Sequence, residues 1–409
     1  MRLLAGSLFA VLVSIGVFQF RAQYYPQSDC SQDPPIVLSN PTNHHSWRPC
    51  NVFSLEYEEA RAKFRAAVKK LSIDAESFAL PVMDGLTMDI AVLKGTVKGT
   101  VVHVSGTHGV EGYAGSAIQL AFLDYLSNKN PQSDRPTIVL VHALNPYGMK
   151  HYRRANENNV DLNRNAINNF DEFVMSRDPN IASYDTFRDF VSPGREPTLW
   201  DSTLGWWLGA APKVLKNGFT AMKQVLVAGQ YHHSTGFSFG GTRMQPSIEI
   251  VENFLVEQGF LPGEVVWIDV HTGLGKLGKD TLIFEETKHS LSKLQDYFPT
   301  AEHVVTPQVQ DKRAMGGYDL TRGVVTAYLQ NKYPSGLFVM QEFGTLPPIF
   351  VGRSLILENM MHQYGTNKAA GRALLQKSFY PQSIEWRASI VQRGVSLILQ
   401  AMELSTRHE

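Results

Sequence analysis

Cysteine is nearly absent: the 409 residues hold two, Cys30 and Cys50. Both lie in a polar, proline-rich stretch near the N-terminus, away in sequence from every candidate catalytic group, which argues against thiol catalysis. In an oxidising compartment they are expected to pair and close a short loop; the alternative is two free surface thiols. Net charge is absent too. The 38 basic and 38 acidic residues cancel, and no basic tract occurs, so a nucleic-acid partner is not expected. No Asn-x-Ser/Thr acceptor exists, because Asn40-Pro41-Thr42 is blocked by its proline. There is no internal repeat and no low-complexity tract. HTGLGKLG is glycine-rich but lacks the Lys-Ser/Thr of a phosphate-binding loop. What is present is 43% apolar and 19% charged residues, enough for a large packed core and too little charge for wholesale disorder.

One long apolar run stands out. MRLLAGSLFAVLVSIGVFQF carries one early Arg and then apolar residues from Leu3 to about Phe20. It is long for a signal-peptide core and barely long enough to span a bilayer. The site after it, Phe20-Arg21-Ala22, is poor for cleavage. Residues 1–22 are read first as a cleaved signal peptide, second as an uncleaved anchor tethering the protein to a membrane, third as an organellar presequence. The expected location is the secretory pathway, secreted or anchored. Residues 23–52 read as a linker or cap holding the two cysteines, and 53–409 as one soluble catalytic domain. Within it, 170–230 is an irregular excursion whose tryptophans, Trp200, Trp206 and Trp207, are read as packing residues ahead of a lid.

From about residue 53, strand-like and helix-like segments alternate, the pattern of an α/β fold with a mixed, largely parallel central sheet flanked by helices. SLEYEEARAKFRAAVKKL is an amphipathic helix candidate. TVVHVS, TIVLVHAL, VVWIDV and GLFVMQEF are short apolar runs rich in β-branched residues and read as buried strands. GYAGSAIQLAFLDYLS and SIEIVENFLVEQG read as helices.

A His-x-x-Glu pair such as His108 and Glu111 is weak evidence alone. The strand ends change its weight. His108 and Glu111 lie past the first run, Asn163 and Arg164 beyond the second, His271 after the third, and Glu342 at the end of the fourth. In open α/β sheets, ligands bind outside the carboxyl ends of the strands. Parallel neighbours would bring these groups to one edge. His108, Glu111 and His271 then make a His₂Glu set for one zinc per chain, with one position left open, the catalytic arrangement. Glu342 is the candidate general base. Arg164 beside Asn163 offers a fork for a substrate carboxylate, and Arg153 or Arg154 could steady an oxyanion. Asp269 is a candidate partner behind His271, although its side chain is expected to point the other way.

HGVEG, VDLNRN, DVHTG and QEFGT, in that order, resemble the motifs of the carboxypeptidase A-like zinc peptidases over roughly residues 53–365. HALNPYGMKHYRRANENNVDLNRN and GQYHHSTGFSFGG resemble the domain-of-unknown-function 2817 branch, near the succinylglutamate desuccinylase and aspartoacylase deacylases. The resemblance implies a zinc carboxypeptidase-like (phosphorylase/hydrolase-like) fold, with His108, Glu111 and His271 as ligands and Glu342 as base. It implies Asn163 and Arg164 as carboxylate clamp and Arg153 or Arg154 as oxyanion group. The superfamily tyrosine that closes over substrate has one candidate here, Tyr318.

The expected activity is zinc-dependent hydrolysis of an amide in a small N-acyl amino acid or peptide with a free carboxylate. The alternatives are a carboxypeptidase removing C-terminal residues, a zinc esterase, and a catalytically silent binding protein on the same fold. His232-His233 are read as loop residues, since adjacent side chains do not face one metal from a regular element, and His44-His45 near Cys50 as part of a capped linker, since a second Cys-rich half is lacking.

Overall fold

A computed structural model describes residues 29–40, 43–71, 75–129, 134–175, 181–284, 287–306 and 321–407. The N-terminal apolar run and Tyr318 lie outside these residues. Among the described residues, no helix is long and apolar enough to cross a membrane.

Ten strands are named in chain order: β1 Ile36–Asn40, β2 Asn43–Trp47, β3 Ala75–Met83, β4 Leu86–Leu93, β5 Thr100–Val104, β6 Thr137–His142, β7 Val265–Leu277, β8 Asp280–Ile283, β9 His303–Val305 and β10 Leu337–Gly344. β1 and β2 form a hairpin. The other eight make one sheet in the order β3-β4-β6-β5-β7-β10-β8-β9. Its centre, β6-β5-β7-β10, is parallel, with antiparallel pairings of β4 to β6 and β10 to β8 on either side. The four apolar runs are these four central strands. They read as continuous apolar segments because both faces are covered.

Alternate residues serve the two faces. Val101, Ile138, Leu140, Ile268 and Val339 pack into one core cluster with helices Tyr57–Lys70, Gly112–Ser127 and Ile384–Ser405. Val102, Val104, Val139, Val141 and Trp267 pack into the other with helices Pro246–Glu257 and Val325–Lys332. Tyr57, Ala60, Phe64 and Val68 are the buried stripe of the first helix, at the three- and four-residue spacing that its sequence carries. Its opposite edge sends Arg61 and Arg65 to buried Asp89 on β4, at 2.9 and 2.8 Å.

Cys30 and Cys50 are disulfide-bonded, Cα atoms 5.1 Å apart. The β1–β2 hairpin they flank buries Ile36, Leu38 and Trp47 in the main core, and the Trp47 indole donates to Ala121 O at 2.9 Å. The 170–230 excursion is helical, with Ile181–Val191, Leu204–Asn217 and Phe219–Ala228 as its main elements. Trp206 and Trp207 are buried against Ile356, Leu357 and Met360 of helix Pro348–Tyr364, as packing tryptophans; Trp200 is exposed.

Candidate active site

The turn after β5 carries the first two predicted ligands. Gly106 supplies its positive φ of 75°. A Cβ on Gly109 would meet the Gly148 backbone at 2.0 Å, so only glycine lets this turn lie against the segment before Arg153. Val110 N donates to Arg153 O at 2.8 Å and Gly109 N to Arg154 O at 3.3 Å, which ties the turn to that arginine pair. The third ligand comes from β7, where His271 is the register partner of Glu342 on β10. Beyond that pair β7 bulges: Phe343 faces Thr272, yet Gly344 faces Leu277. Gly273 and Gly275, at φ 142° and 121°, make the bulge, the sharp backbone expected of HTGLG. It turns Leu274 N onto Glu342 Oε1 at 2.8 Å and fixes the carboxylate.

The donor atoms converge. His108 Nδ1 lies 3.0 Å from Glu111 Oε1, the two Nδ1 atoms of His108 and His271 are 3.1 Å apart, and His271 Nδ1 lies 3.4 Å from Glu111 Oε2. All three residues are buried. Tetrahedral zinc with bonds of about 2.0–2.1 Å to nitrogen and oxygen sets ligand atoms about 3.3 Å apart, so the spacing suits that ion. Each imidazole has its far nitrogen beside a carboxylate: His108 Nε2 is hydrogen-bonded to Asp161 Oδ1 at 3.1 Å, whereas His271 Nε2 lies 3.1 Å from Asp269 Oδ2 as a charge pair without hydrogen-bond alignment. At His108 such a carboxylate holds the Nε2 proton and leaves Nδ1 as the lone-pair donor. Burial lowers the affinity of His271 for a proton, but Asp269 and Glu111 overcome it and push its pKa up to about 10. A pocket that stabilises a proton so strongly also stabilises a cation. The donor set and its electrostatics fit zinc.

Glu111 works against burial as well. The two histidines hold its carboxyl well below the usual range, and Thr272 N donates to its Oε2 at 2.8 Å. Glu342 shifts the other way: burial, then the charge of Glu111, raise it to about 7.

Arg154 faces this cluster. Its Nε donates to Asp161 Oδ2 at 2.9 Å and its Nη1 to Glu111 Oε1 at 3.3 Å; Nη2 has no protein partner among the described residues. Arg153 is turned away, bonded to Glu358 Oε1 at 2.8 Å and Asn159 Oδ1 at 3.0 Å. Of the two candidates for the oxyanion group, the structure brings only Arg154 to the site. Adjacent residues in a turn diverge, and Arg153 is held away in a buried ion pair with Glu358.

Arg164 and Asn163 line the same cleft as His108, Arg154, His271 and Glu342, about 820 Å³ including its open mouth. Arg164 is held by backbone carbonyls: Nε and Nη2 donate to Val227 O at 2.8 and 2.5 Å, and Nη1 to Asn163 O at 2.6 Å. A guanidinium has five N–H groups, so among the described residues one N–H on each terminal nitrogen is left without a partner. Tyr318 lies outside the described residues and cannot be placed. Asp269 corrects its expected orientation. Two residues apart on a strand means the same face, so it stands behind His271 and takes a bond from Thr107 Oγ1 at 2.8 Å. Asp161 was not singled out by sequence. Its signal was a carboxylate two residues before the Asn-Arg pair, in VDLNRN.

Residues 53–393 match the family model described as Protein of unknown function (DUF2817). The chain belongs to this family. No curated protein matches it. Solved structures similar to this DUF2817 member include bovine thrombin-activatable fibrinolysis inhibitor in complex with tick carboxypeptidase inhibitor, at 11% identity over 80% of this chain and 97% of that chain, TM-score 0.45. Carboxypeptidase A from Helicoverpa armigera is similar at 12% identity over 80% and 75%, TM-score 0.44. A metallo-carboxypeptidase from Pseudomonas aeruginosa in complex with (2-guanidinoethylmercapto)succinic acid is similar at 12% identity over 82% and 69%, TM-score 0.39.

Proposed function

We propose that this DUF2817 member is a zinc-dependent amide hydrolase acting on a small substrate with a free carboxylate, of the N-acyl amino acid or peptide class. The observation that carries the reading is the buried His108–Glu111–His271 donor set, both imidazoles backed by carboxylates, with Glu342 paired to His271 on the next strand. His108, Glu111 and His271 hold the metal. Zinc in that position supplies Lewis acidity toward water and a carbonyl oxygen.

The remaining roles belong to the chain's own groups. Glu342 takes the proton of the attacking water and returns it to the leaving amine; burial raises its carboxyl, the direction that suits a group which must both accept and return a proton. Its bond from Leu274 N leaves one oxygen anchored and the other available. Arg154 presents Nη2, which has no partner among the described residues, to the developing oxyanion, and Asp161 holds the guanidinium in place. Arg164 receives the substrate carboxylate on its two remaining N–H groups, with Asn163 beside it. Tyr318 is assigned the closing position over the substrate on family resemblance alone. The Cys30–Cys50 disulfide supports an oxidising compartment, consistent with entry into the secretory pathway through the N-terminal apolar segment.

The test is a panel of N-acyl amino acids and C-terminal peptides given to the zinc-loaded full chain, with a chelated control. Release of the acyl group marks a deacylase, and release of the last residue marks a carboxypeptidase. Glu342→Gln is expected to keep zinc and lose turnover by about 10²–10⁴-fold. Full activity in Glu342→Gln refutes the base assignment.

A further inference from the structure

One peptide group in the β7 bulge is bonded at both ends. Leu274 N donates to Glu342 Oε1 at 2.8 Å, and the carbonyl of that same peptide, Gly273 O, accepts from Thr345 Oγ1 at 3.1 Å. The Thr345 hydroxyl, the 273–274 peptide and the Glu342 carboxylate therefore form one continuous run through a planar unit. Each bond polarises the peptide in the sense that strengthens the other. Thr345 is buried and stands three residues after Glu342, just past the end of β10. Gly273 and Leu274 line the cleft. The flanks of the bulge are pinned by other groups. Thr272 N donates to Glu111 Oε2 at 2.8 Å and Thr272 Oγ1 to Phe379 O at 2.7 Å. Gly278 N donates to Gly344 O, and Gly344 N to Lys279 O, both at 2.9 Å. Between these anchors Gly273 and Gly275 hold positive φ, and backbone without a Cβ can set the 273–274 peptide in more than one way. Turned over, that peptide aims its carbonyl oxygen at the Glu342 carboxylate, and the bond to Leu274 N is lost. A hydroxyl donor on Gly273 O favours the observed setting.

We infer that Thr345 is a positioning residue for Glu342: its hydroxyl fixes the 273–274 peptide, and that peptide fixes the carboxylate. The inference rests on the hydrolase reading of the same site and adds a residue that acts on the base through one peptide group. Bulges beside active sites re-aim side chains; this one aims an N–H at the base, and Thr345 keeps it aimed. A carboxylate that has lost its anchor meets the attacking water less often in the productive geometry, and small misplacements of that kind are costly. The substrate carboxylate sits on Arg164, on a separate segment of the chain, so the loss falls on turnover and not on binding.

The test reads the peptide and the turnover separately. The zinc-loaded full chain is labelled with carbonyl-¹³C glycine and ¹⁵N-leucine, which selects the amide signals of Gly–Leu pairs. The sequence has three, Gly85–Leu86, Gly273–Leu274 and Gly336–Leu337, and the Leu274 signal is assigned by its loss in Leu274→Met. The Leu274 amide proton is expected downfield, as a donor to a carboxylate, and is expected to move upfield in Glu342→Gln and in Thr345→Val. On the best substrate of the panel, Thr345→Val is expected to lower kcat by about 10–100-fold, with KM and zinc content unchanged. Thr345→Ser keeps the hydroxyl and is expected to match the wild type in both signal and turnover. Thr345→Ala takes the place of the valine variant should that one not fold. An unmoved Leu274 signal in Thr345→Val overturns the inference. Wild-type kcat in that variant overturns it too, as does a serine variant as impaired as the valine one. A signal that moves in Thr345→Val, in a protein whose wild type hydrolyses no member of the panel, supports the hold on Glu342 and removes the hydrolase reading.

Discussion

Arg153 and Arg154 are neighbours in opposite surroundings, and they show how little chain separates a group at the cleft from one in a buried ion pair. Arg154 reaches Glu111 and Asp161 at the cleft, whereas Arg153 is buried on Glu358. Arg154→Ala is expected to lower kcat by about 10²–10³-fold, the loss typical of one oxyanion donor, with the melting temperature little changed. Arg153→Ala is expected to cost about 3–5 kcal/mol, because Glu358 is left charged and buried, while turnover per folded molecule is retained. Thermal unfolding and steady-state kinetics on both variants check the assignment. The reverse outcome exchanges their roles. Sequence could not choose between them: two basic residues in one turn are equivalent until the turn's geometry is known. Asp161 was hidden for a related reason, since its histidine lies 53 positions away along the chain.

At the scale of elements, the helix Tyr57–Lys70 is fastened to β4 by Asp89, which takes Arg61, Arg65 and Thr87 together. Burial alone would raise the Asp89 carboxyl, but the bonds from Arg65, Arg61 and Thr87 hold it below its ordinary value. A depressed carboxylate pKa contributes stability that is complete above the unfolded value, near 3.9, and is lost as pH falls through the folded value. Asp89→Asn is therefore expected to cost about 1–3 kcal/mol at pH 7, toward the lower end because Arg65 is half-exposed, and the cost should shrink below about pH 4. Denaturant titrations at pH 7 and pH 3.5 read the difference; a cost independent of pH rules out the ionised bridge. The elements themselves were legible. The four central strands are continuous apolar runs because helices cover both faces, and Gly112–Ser127 is the helix that its sequence announces. The 170–230 helices were not legible, because their buried residues meet a segment more than a hundred positions later, at Ile356, Leu357 and Met360. Local periodicity carries no trace of that partner.

At the scale of the whole molecule, the N-terminal hairpin and the eight-stranded sheet share one packed core, with a disulfide whose cysteines are 20 residues apart beside the hairpin. A loop of that length gives about 3 kcal/mol of constraint on the unfolded chain. The double variant Cys30→Ser, Cys50→Ser is expected to melt several degrees lower and to keep its zinc; unchanged melting means that the hairpin holds without its bridge. The convergence of four strand ends was legible because parallel strands place their carboxyl ends on one edge, and His108, Glu111, Arg154, Arg164, His271 and Glu342 meet at or beside one cleft. The most direct measurement is elemental analysis of the purified full chain and of His271→Ala. One zinc per chain in the wild type, lost in the folded variant, is the expected result. A folded wild type that takes up no zinc when the metal is added contradicts the three-ligand centre.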